Sequence, residues 1–242
     1  MNSPSGMEVS MADSVSKIRK DFDRIASLSR DGWDHNNHYH NFLLKQIPSH
    51  CTHALEIGCG AGEFSRLLAK RSDRVLALDL SPNMIQIARE RSKQFPNINF
   101  QTADAMTFEF LNEQFDCIAS IAAFHHLPME EILSKIKVAM KINGVLVVLD
   151  LFQSKGARDI FTEALAIPAN LVFKLIKNGR LRESQESREA WDEHGRNDSY
   201  LTLSQIRQIC ASLLPGARVK KHLLWRYSII WKKLEISDRE IL

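Results

Sequence analysis

What this chain lacks narrows its class before any motif is read. It has four cysteines in 242 residues, and no two of them form a C-x-x-C pair. Disulfide frameworks belong to small secreted chains that cannot build a core. Here 44% of residues are hydrophobic, so Cys51, Cys59, Cys117 and Cys210 read as reduced thiols of a cytoplasmic protein. No apolar run reaches the ~20 residues that a membrane span needs. The opening MNSPSGMEVSMADSVSKIRK has no apolar heart and does not read as a secretory signal. Charge of one sign is also missing: 32 basic residues face 29 acidic ones, for a net +3. They are interspersed, as in Arg182-Glu183 and Lys232-Lys233-Leu234-Glu235. A protein that grips nucleic acid concentrates its basic residues in a stripe, so no nucleic-acid partner is expected. There is no internal repeat and no low-complexity tract. The tract His35, His38, His40 is surrounded by no familiar ligand set, and no metal site is expected from it.

What is present is an alternation. From Ala54 to Asp150, short apolar runs follow longer amphipathic stretches. The runs predict strands at 54–57, 74–79, 98–102, 115–120 and 144–150. The stretches between predict helices at 62–70, 83–94 and 130–140. Gly144–Asp150 (GVLVVLD) is continuously apolar, as a strand buried on both faces is. Strands alternating with helices imply a mostly parallel sheet covered on both sides. The pattern then breaks. Residues 153–200 carry no strand signal and read as an inserted pair of helices, apolar over 156–177 and charged over 180–198. A helix at 203–214 ends at Pro215-Gly216, and two β-rich runs flanking Trp225-Arg226 read as a closing antiparallel pair. The expected organisation is an N-terminal tail and helix over 1–30, with the first dozen residues loose. A core follows over 31–152, a helical cap over 153–200, and a helix with closing strands over 201–242.

The residues that carry chemistry start at Leu55-Glu56-Ile57-Gly58-Cys59-Gly60-Ala61-Gly62-Glu63-Phe64. This loop leaves a strand and opens a helix. Glycines at 58, 60 and 62 let the backbone turn sharply and approach a ligand closely, and the helix start offers unpaired N–H groups. The spacing is G-x-G-x-G, not the G-x-G-x-x-G of dinucleotide folds, which weakens phosphate binding as its purpose. Asp79 ends the next strand, 21 positions after Gly58. An acid there can accept from both hydroxyls of an adenosine ribose, or it can cap the following helix beside Ser81.

The ordered set LEIGCGAGEF, ALDLSPNMI, TADAM, FDCIASIAAFHHL and INGVLVVLD resembles the class I methyltransferases that use S-adenosylmethionine. The resemblance implies a doubly wound α/β fold, Rossmann-like, with a mostly parallel seven-stranded sheet, and S-adenosylmethionine as cofactor. It implies that Glu56 and the backbone of Gly58, Cys59 and Gly60 hold the methionine end, and that Asp79 takes the ribose. Leu80 and Met84 would flank the adenine. Asp104 would accept from its amino group with the Ala105 N–H facing the ring, and Ser120 and Ile121 would border the methionine amino group. After the fourth strand the sequence reads Ser120-Ile121-Ala122-Ala123, without the NPPY-like tetrapeptide of enzymes that methylate base amino groups.

Three further groups have two readings each. His125 and His126 are candidates for a general base; otherwise one packs under the loop and the other caps a helix. Asp150, at the end of the fifth strand, is an acid able to reach an acceptor. Trp33, His35, Tyr39 and His40 are candidates to bind the acceptor, or a surface helix with Trp33 and Tyr39 as packing anchors. The apolar stretch 160–176 can roof the site, pack the core, form a dimer face, or rest on a membrane surface. The expected function is methyl transfer to a small, partly apolar acceptor, with a methyltransferase acting on RNA or protein, or a non-catalytic S-adenosylmethionine-binding module, as alternatives; the oligomeric state is open.

Overall fold

The computed structural model describes residues 5–28, 36–154, 185–196 and 198–235, with side chains from residue 13 onward. The predicted alternation is realised as a seven-stranded sheet in the order β3-β2-β1-β4-β5-β7-β6. The strands are β1 (Cys51–Ile57), β2 (Ser72–Asp79), β3 (Ile98–Thr102), β4 (Phe115–Ile121), β5 (Met140–Leu151), β6 (Arg218–Lys221) and β7 (Arg226–Lys232). The first five are parallel to one another, and β7 runs antiparallel to both β5 and β6. The Rossmann-like, mostly parallel architecture read from the sequence is therefore correct, including its closing antiparallel pair.

The helices are α1 (Ser5–Leu28), α2 (His40–Leu44), α3 (Glu63–Ala69), α4 (Pro82–Arg91), α5 (Met129–Ala139), α6 (Gln185–Gly195) and α7 (Leu203–Leu213). Strand alternation sends successive side chains to opposite faces. On one face Leu55, Ile118, Leu146 and Ile229 pack with Ile132, Leu133 and Ile136 of α5 and with Ile206 and Cys210 of α7. On the other, Ala54, Cys117, Val147 and Val75 pack with Leu43 and Leu44 of α2 and Phe64 and Leu68 of α3.

Local chemistry explains most boundaries. Pro82 opens α4 where its missing N–H costs nothing, and the Ser81 hydroxyl caps the helix by accepting from the Met84 N–H. Two boundaries differ from expectation. β5 begins at Met140, four residues early, because the chain bulges between its pairings with Phe115 and Cys117. Asn143 absorbs that irregularity at φ 68°, and a side chain at Gly144 would lie 2.8 Å from the Lys141 carbonyl oxygen. α1 begins at Ser5, inside the stretch expected to be loose. Of the two inserted helices, α6 is present; the apolar stretch 160–176 lies outside the described residues. Among those residues no helix is long and apolar enough to cross a membrane.

The order β2-β1-β4 reverses direction between β1 and β4. That is where open α/β sheets hold their ligands, beyond the carboxyl ends of the strands. α7 closes the fold through a capping box: the Thr202 hydroxyl accepts from the Gln205 N–H at 3.3 Å, and the Gln205 side chain accepts from the Thr202 N–H at 2.9 Å. Thr202→Ala should lower global stability by about 1 kcal/mol. Urea denaturation followed by circular dichroism measures it, and a change below about 0.3 kcal/mol would mean the cap contributes nothing.

Candidate cofactor-binding site

The glycine loop leaves β1 at the switch point, and two contacts set its path. The Ser120 hydroxyl of β4 donates to the Ile57 carbonyl at 2.8 Å. Gly58 then passes so close to the turn after β4 that an added Cβ would sit 2.4 Å from the Ala123 Cβ. Gly58, Gly60 and Gly62 all have positive φ. A Cβ on Gly60 would meet nothing within 4 Å, so the loop presents open space there for a ligand.

Asp79 faces that space from the end of β2. One of its oxygens accepts the Gly60 N–H at 2.8 Å and the other the Ser81 N–H at 2.9 Å. The carboxylate is thus oriented by backbone donors, and each oxygen keeps lone-pair capacity for a pair of hydroxyls. Ser81, not Asp79, is the helix cap. Burial pushes the Asp79 carboxyl above its usual range. At the end of β3, the Ala103 N–H donates to the Asp79 carbonyl at 2.9 Å, which brings Asp104 and Ala105 beside the loop. Asp104 orders its own turn by accepting the Met106 N–H at 2.8 Å.

Three of the expected residues have partners within the fold. Glu56 is 2% exposed and accepts from the Ser65 hydroxyl of α3, so its side chain braces the loop from within. Ser120 is fully buried, its hydroxyl committed to Ile57. Met84 packs with Ile25, Ala26 and Ala190 beneath α1 and α6. Leu80 and Ile121 are half-buried at the same edge, and Cys59 is buried in the loop.

The charge of this edge is informative. Glu56, Asp79 and Asp104 stand among residues 56–62, 79–80 and 104–105, which contain no lysine or arginine. Arg66 of α3 is tied to the Ala61 carbonyl at 3.0 Å and the Ser92 hydroxyl at 3.2 Å. A pyrophosphate would meet carboxylates without a cation. A sulfonium with an ammonium group would meet the charge it needs.

Residues 54–144 match the model of a methyltransferase domain. That part of the chain carries a methyltransferase domain. It is 28% identical over 201 residues to an uncharacterised methyltransferase of Mycobacterium tuberculosis, covering 83% of this chain and 96% of that one. It is 26% identical over 159 residues to the ubiquinone biosynthesis O-methyltransferase of Coxiella burnetii, covering 64% and 67% respectively. The fold superposes on the N-methyltransferase NodS of Bradyrhizobium japonicum, solved with S-adenosylhomocysteine, with a TM-score of 0.61 at 18% identity over 92% of this chain and 99% of that one. The open glycine loop, the oriented Asp79 and the lack of lysine and arginine in residues 56–62, 79–80 and 104–105 fit S-adenosylmethionine as the cofactor of this methyltransferase domain.

The remaining candidates of the methyltransferase are placed as follows. Trp33 and His35 lie outside the described residues. Tyr39 is buried, donates to the Leu223 carbonyl at 2.7 Å and packs on His222. It is the packing anchor of the β6–β7 loop and leaves no hydroxyl for an acceptor. His40 is half-buried with its ring 5.2 Å from that of Phe64. Asp150 is fully buried, and both its oxygens are used: one by the His125 N–H at 2.7 Å, the other by the His125 ring at 2.7 Å and the Leu151 N–H at 2.8 Å. It does not reach out to an acceptor. The side chains of His125 and His126 are 6% and 9% exposed. Burial, with His125 and His194 beside it, brings the His126 imidazole down to about 2, which makes it a poor proton acceptor near neutrality. What sequence reasoning missed is the second tier: Ser65, Asp21, Asp23, His194, Asp198 and Tyr200. Of these only the i, i+4 spacing of His194 and Asp198 was a visible signal.

Two predictions come from this geometry. Asp79→Ala should weaken S-adenosylhomocysteine binding about ten- to a hundredfold, the worth of roughly 1.5–3 kcal/mol of charge-assisted hydrogen bonding. Calorimetry reads it, and an unchanged Kd refutes the ribose role. The second concerns Glu56, whose carboxyl burial raises to about 8. An acid with a raised folded pKa binds its proton more tightly folded than unfolded. It stabilises fully below the unfolded value of about 4.3 and loses that contribution as pH climbs to 8, by at most about 1.4 kcal/mol per pH unit. Glu56→Gln should flatten the fall in unfolding free energy between pH 5 and 8 in cofactor-free protein. Parallel wild-type and variant profiles would show that Glu56 titrates normally.

Proposed function

We propose that the methyltransferase acts on a small, partly apolar acceptor enclosed at the carboxyl edge of the sheet. The carrying observation is that α1 and α6 cover this edge together. Asp23 of α1 accepts from the Ser81 hydroxyl at 2.5 Å, two residues from Asp79. Arg24 pairs with Glu193 of α6 at 2.6 Å. Ile25, Ala26, Met84 and Ala190 form the apolar seam between the two helices and α4. An edge roofed from two directions suits a molecule that enters whole and disfavours a polymer lying across it. Among the described residues the N-terminal part of the cover is α1, while Tyr39 and Asn36 are tied to the β6–β7 loop region. The apolar character of the acceptor is drawn from Phe161, Leu165, Ile167, Leu171 and Phe173 in the insertion that leaves the end of β5. The C. burnetii relative, an O-methyltransferase of ubiquinone biosynthesis by name, supports an apolar acceptor with a polar attacking atom.

The chemistry asks little covalent help of the protein. S-adenosylmethionine supplies an already activated methyl group. This chain's residues then have to bind, orient and exclude water. Asp79 and Asp104 fix the nucleoside side, the backbone of Gly58–Gly60 borders the methionine side, and α1 and α6 keep water out. Formation of S-adenosylhomocysteine should appear with hydroxylated or amino-bearing apolar molecules such as alkylated catechols, and be absent with transfer RNA and with unfolded protein. Turnover on RNA or protein without turnover on any small acceptor would overturn the proposal.

A further inference from the structure

A second constellation, not needed for cofactor binding, lies under the same cover. His125 and His126 stand in the turn after β4, His194 in the last turn of α6, and Asp198 four residues beyond it. One ligand atom from each lies within 4.8 Å of all the others. Asp198 is the hub. His125 Nε2 is 3.9 Å from Oδ2, His194 Nε2 is 3.8 Å from Oδ2, and His126 Nδ1 is 3.6 Å from Oδ1. These separations are too long for hydrogen bonds. They are close to the ~3.4 Å between neighbouring ligands that bond lengths near 2.0–2.2 Å give around a tetrahedral ion.

Three observations distinguish this from an ordinary ion-pair cluster. The four side chains are only 5–9% exposed. The His126 ring is buried without satisfaction: its Nε2 has no hydrogen-bond partner and its Nδ1 has only the 3.6 Å approach to Asp198. The other two rings are each held from behind by a carboxylate. His125 Nδ1 is 2.7 Å from Asp150, and His194 Nδ1 is 3.3 Å from Asp21. That directs both Nε2 atoms inward, the arrangement that orients and strengthens metal-bound histidines. Tyr200 donates to Asp198 Oδ2 at 2.8 Å, which orients the fourth group in the same way.

We propose that His125, His126, His194 and Asp198 bind one divalent transition-metal ion, zinc by the match of three imidazoles and one carboxylate to tetrahedral geometry. Four protein groups fill the coordination sphere, so the ion is structural. It fastens α6 and the chain entering α7 to the turn after β4, and with Asp21 behind His194 it reaches α1. The cover of the site is thereby locked to the sheet. This inference is independent of which acceptor is methylated.

The test uses full-length protein purified without a metal-affinity step. Elemental analysis after gel filtration should find about one equivalent of zinc. Removing it with a chelator should lower the Tm, and adding zinc back should restore it. Cobalt(II) loaded into the stripped protein should give the intense visible absorption of a tetrahedral site. His194→Ala and Asp198→Asn, each checked for retained secondary structure, should bind zinc at least a hundredfold more weakly. Exposed His50→Ala should bind as the parent does. Stripped wild-type protein gives the cobalt and zinc readouts even if a variant fails to fold. Stoichiometric zinc with tetrahedral cobalt spectra establishes the site. No binding of zinc, manganese or iron(II) below about 10 μM refutes it, as does undiminished zinc in the His194 variant. Preference for manganese over zinc overturns the zinc assignment.

Discussion

The structure turns on a close approach between two chain segments that are far apart in sequence. Gly58, leaving β1, passes where any side chain would collide with Ala123, in the turn leaving β4. β1 and β4 are neighbours at the switch point of the sheet, so this contact joins the two halves of the doubly wound fold at the edge where ligands bind. On one side of it the glycine loop opens toward Asp79 and Asp104. On the other the chain runs directly into His125 and His126. One missing Cβ therefore sets the spacing between the cofactor edge and the covered histidine cluster. The Ser120–Ile57 hydrogen bond, fully buried below it, keeps the two strand ends level.

Electrostatics gives that edge its selectivity. Buried carboxyls are costly, and Glu56 relieves the cost through a raised proton affinity and a Ser65 hydrogen bond, with Arg66 as its nearby cation. Asp79 relieves it through two backbone N–H groups. Neither set of hydrogen bonds supplies a full positive charge. The unmet negative potential is what a sulfonium ligand satisfies and a pyrophosphate aggravates. The absence of lysine and arginine at the loop thus carries as much information as its glycines.

The legible and the illegible parts of the sequence divide along a physical line. Strands buried on both faces advertise themselves as apolar runs, so the central sheet was readable from residues such as Val145–Leu149. The glycine loop and Asp79 were readable because their spacing is local to one β-α-β unit. Side-chain direction was not. Glu56, Ser120 and Met84 occupy the expected positions, but each is turned inward by a partner that sequence spacing does not reveal: Ser65, Ile57 and the α1–α6 seam. Tyr39 had two readings, and the contact that ties its hydroxyl to Leu223, 184 positions away, is one that sequence spacing does not reveal. The histidine cluster joins two stretches of chain about 70 residues apart, 125–126 and 194–198, and no local pattern announces that they meet.

The two covering helices are attached differently from the rest of the fold. The sheet is held by two large apolar layers. Among the described residues, α1 and α6 share with α4 a smaller seam of Ile25, Ala26, Met84 and Ala190, flanked by Phe22, Leu28 and Ile87. The Arg24–Glu193 pair is half exposed at both ends, and such surface pairs contribute little. Elements with few buried apolar contacts open at lower free energy than the core they cover. For the proposed reaction, such a cover would have to open to admit cofactor and acceptor and close to exclude water. The polar links from Asp21 to His194 and from Asp23 to Ser81 meet that second need, because they fix direction where the apolar seam fixes only proximity. Burial thus holds the sheet together, while the position of its cover depends on two carboxylates of α1, one of which reaches Ser81, two residues from Asp79.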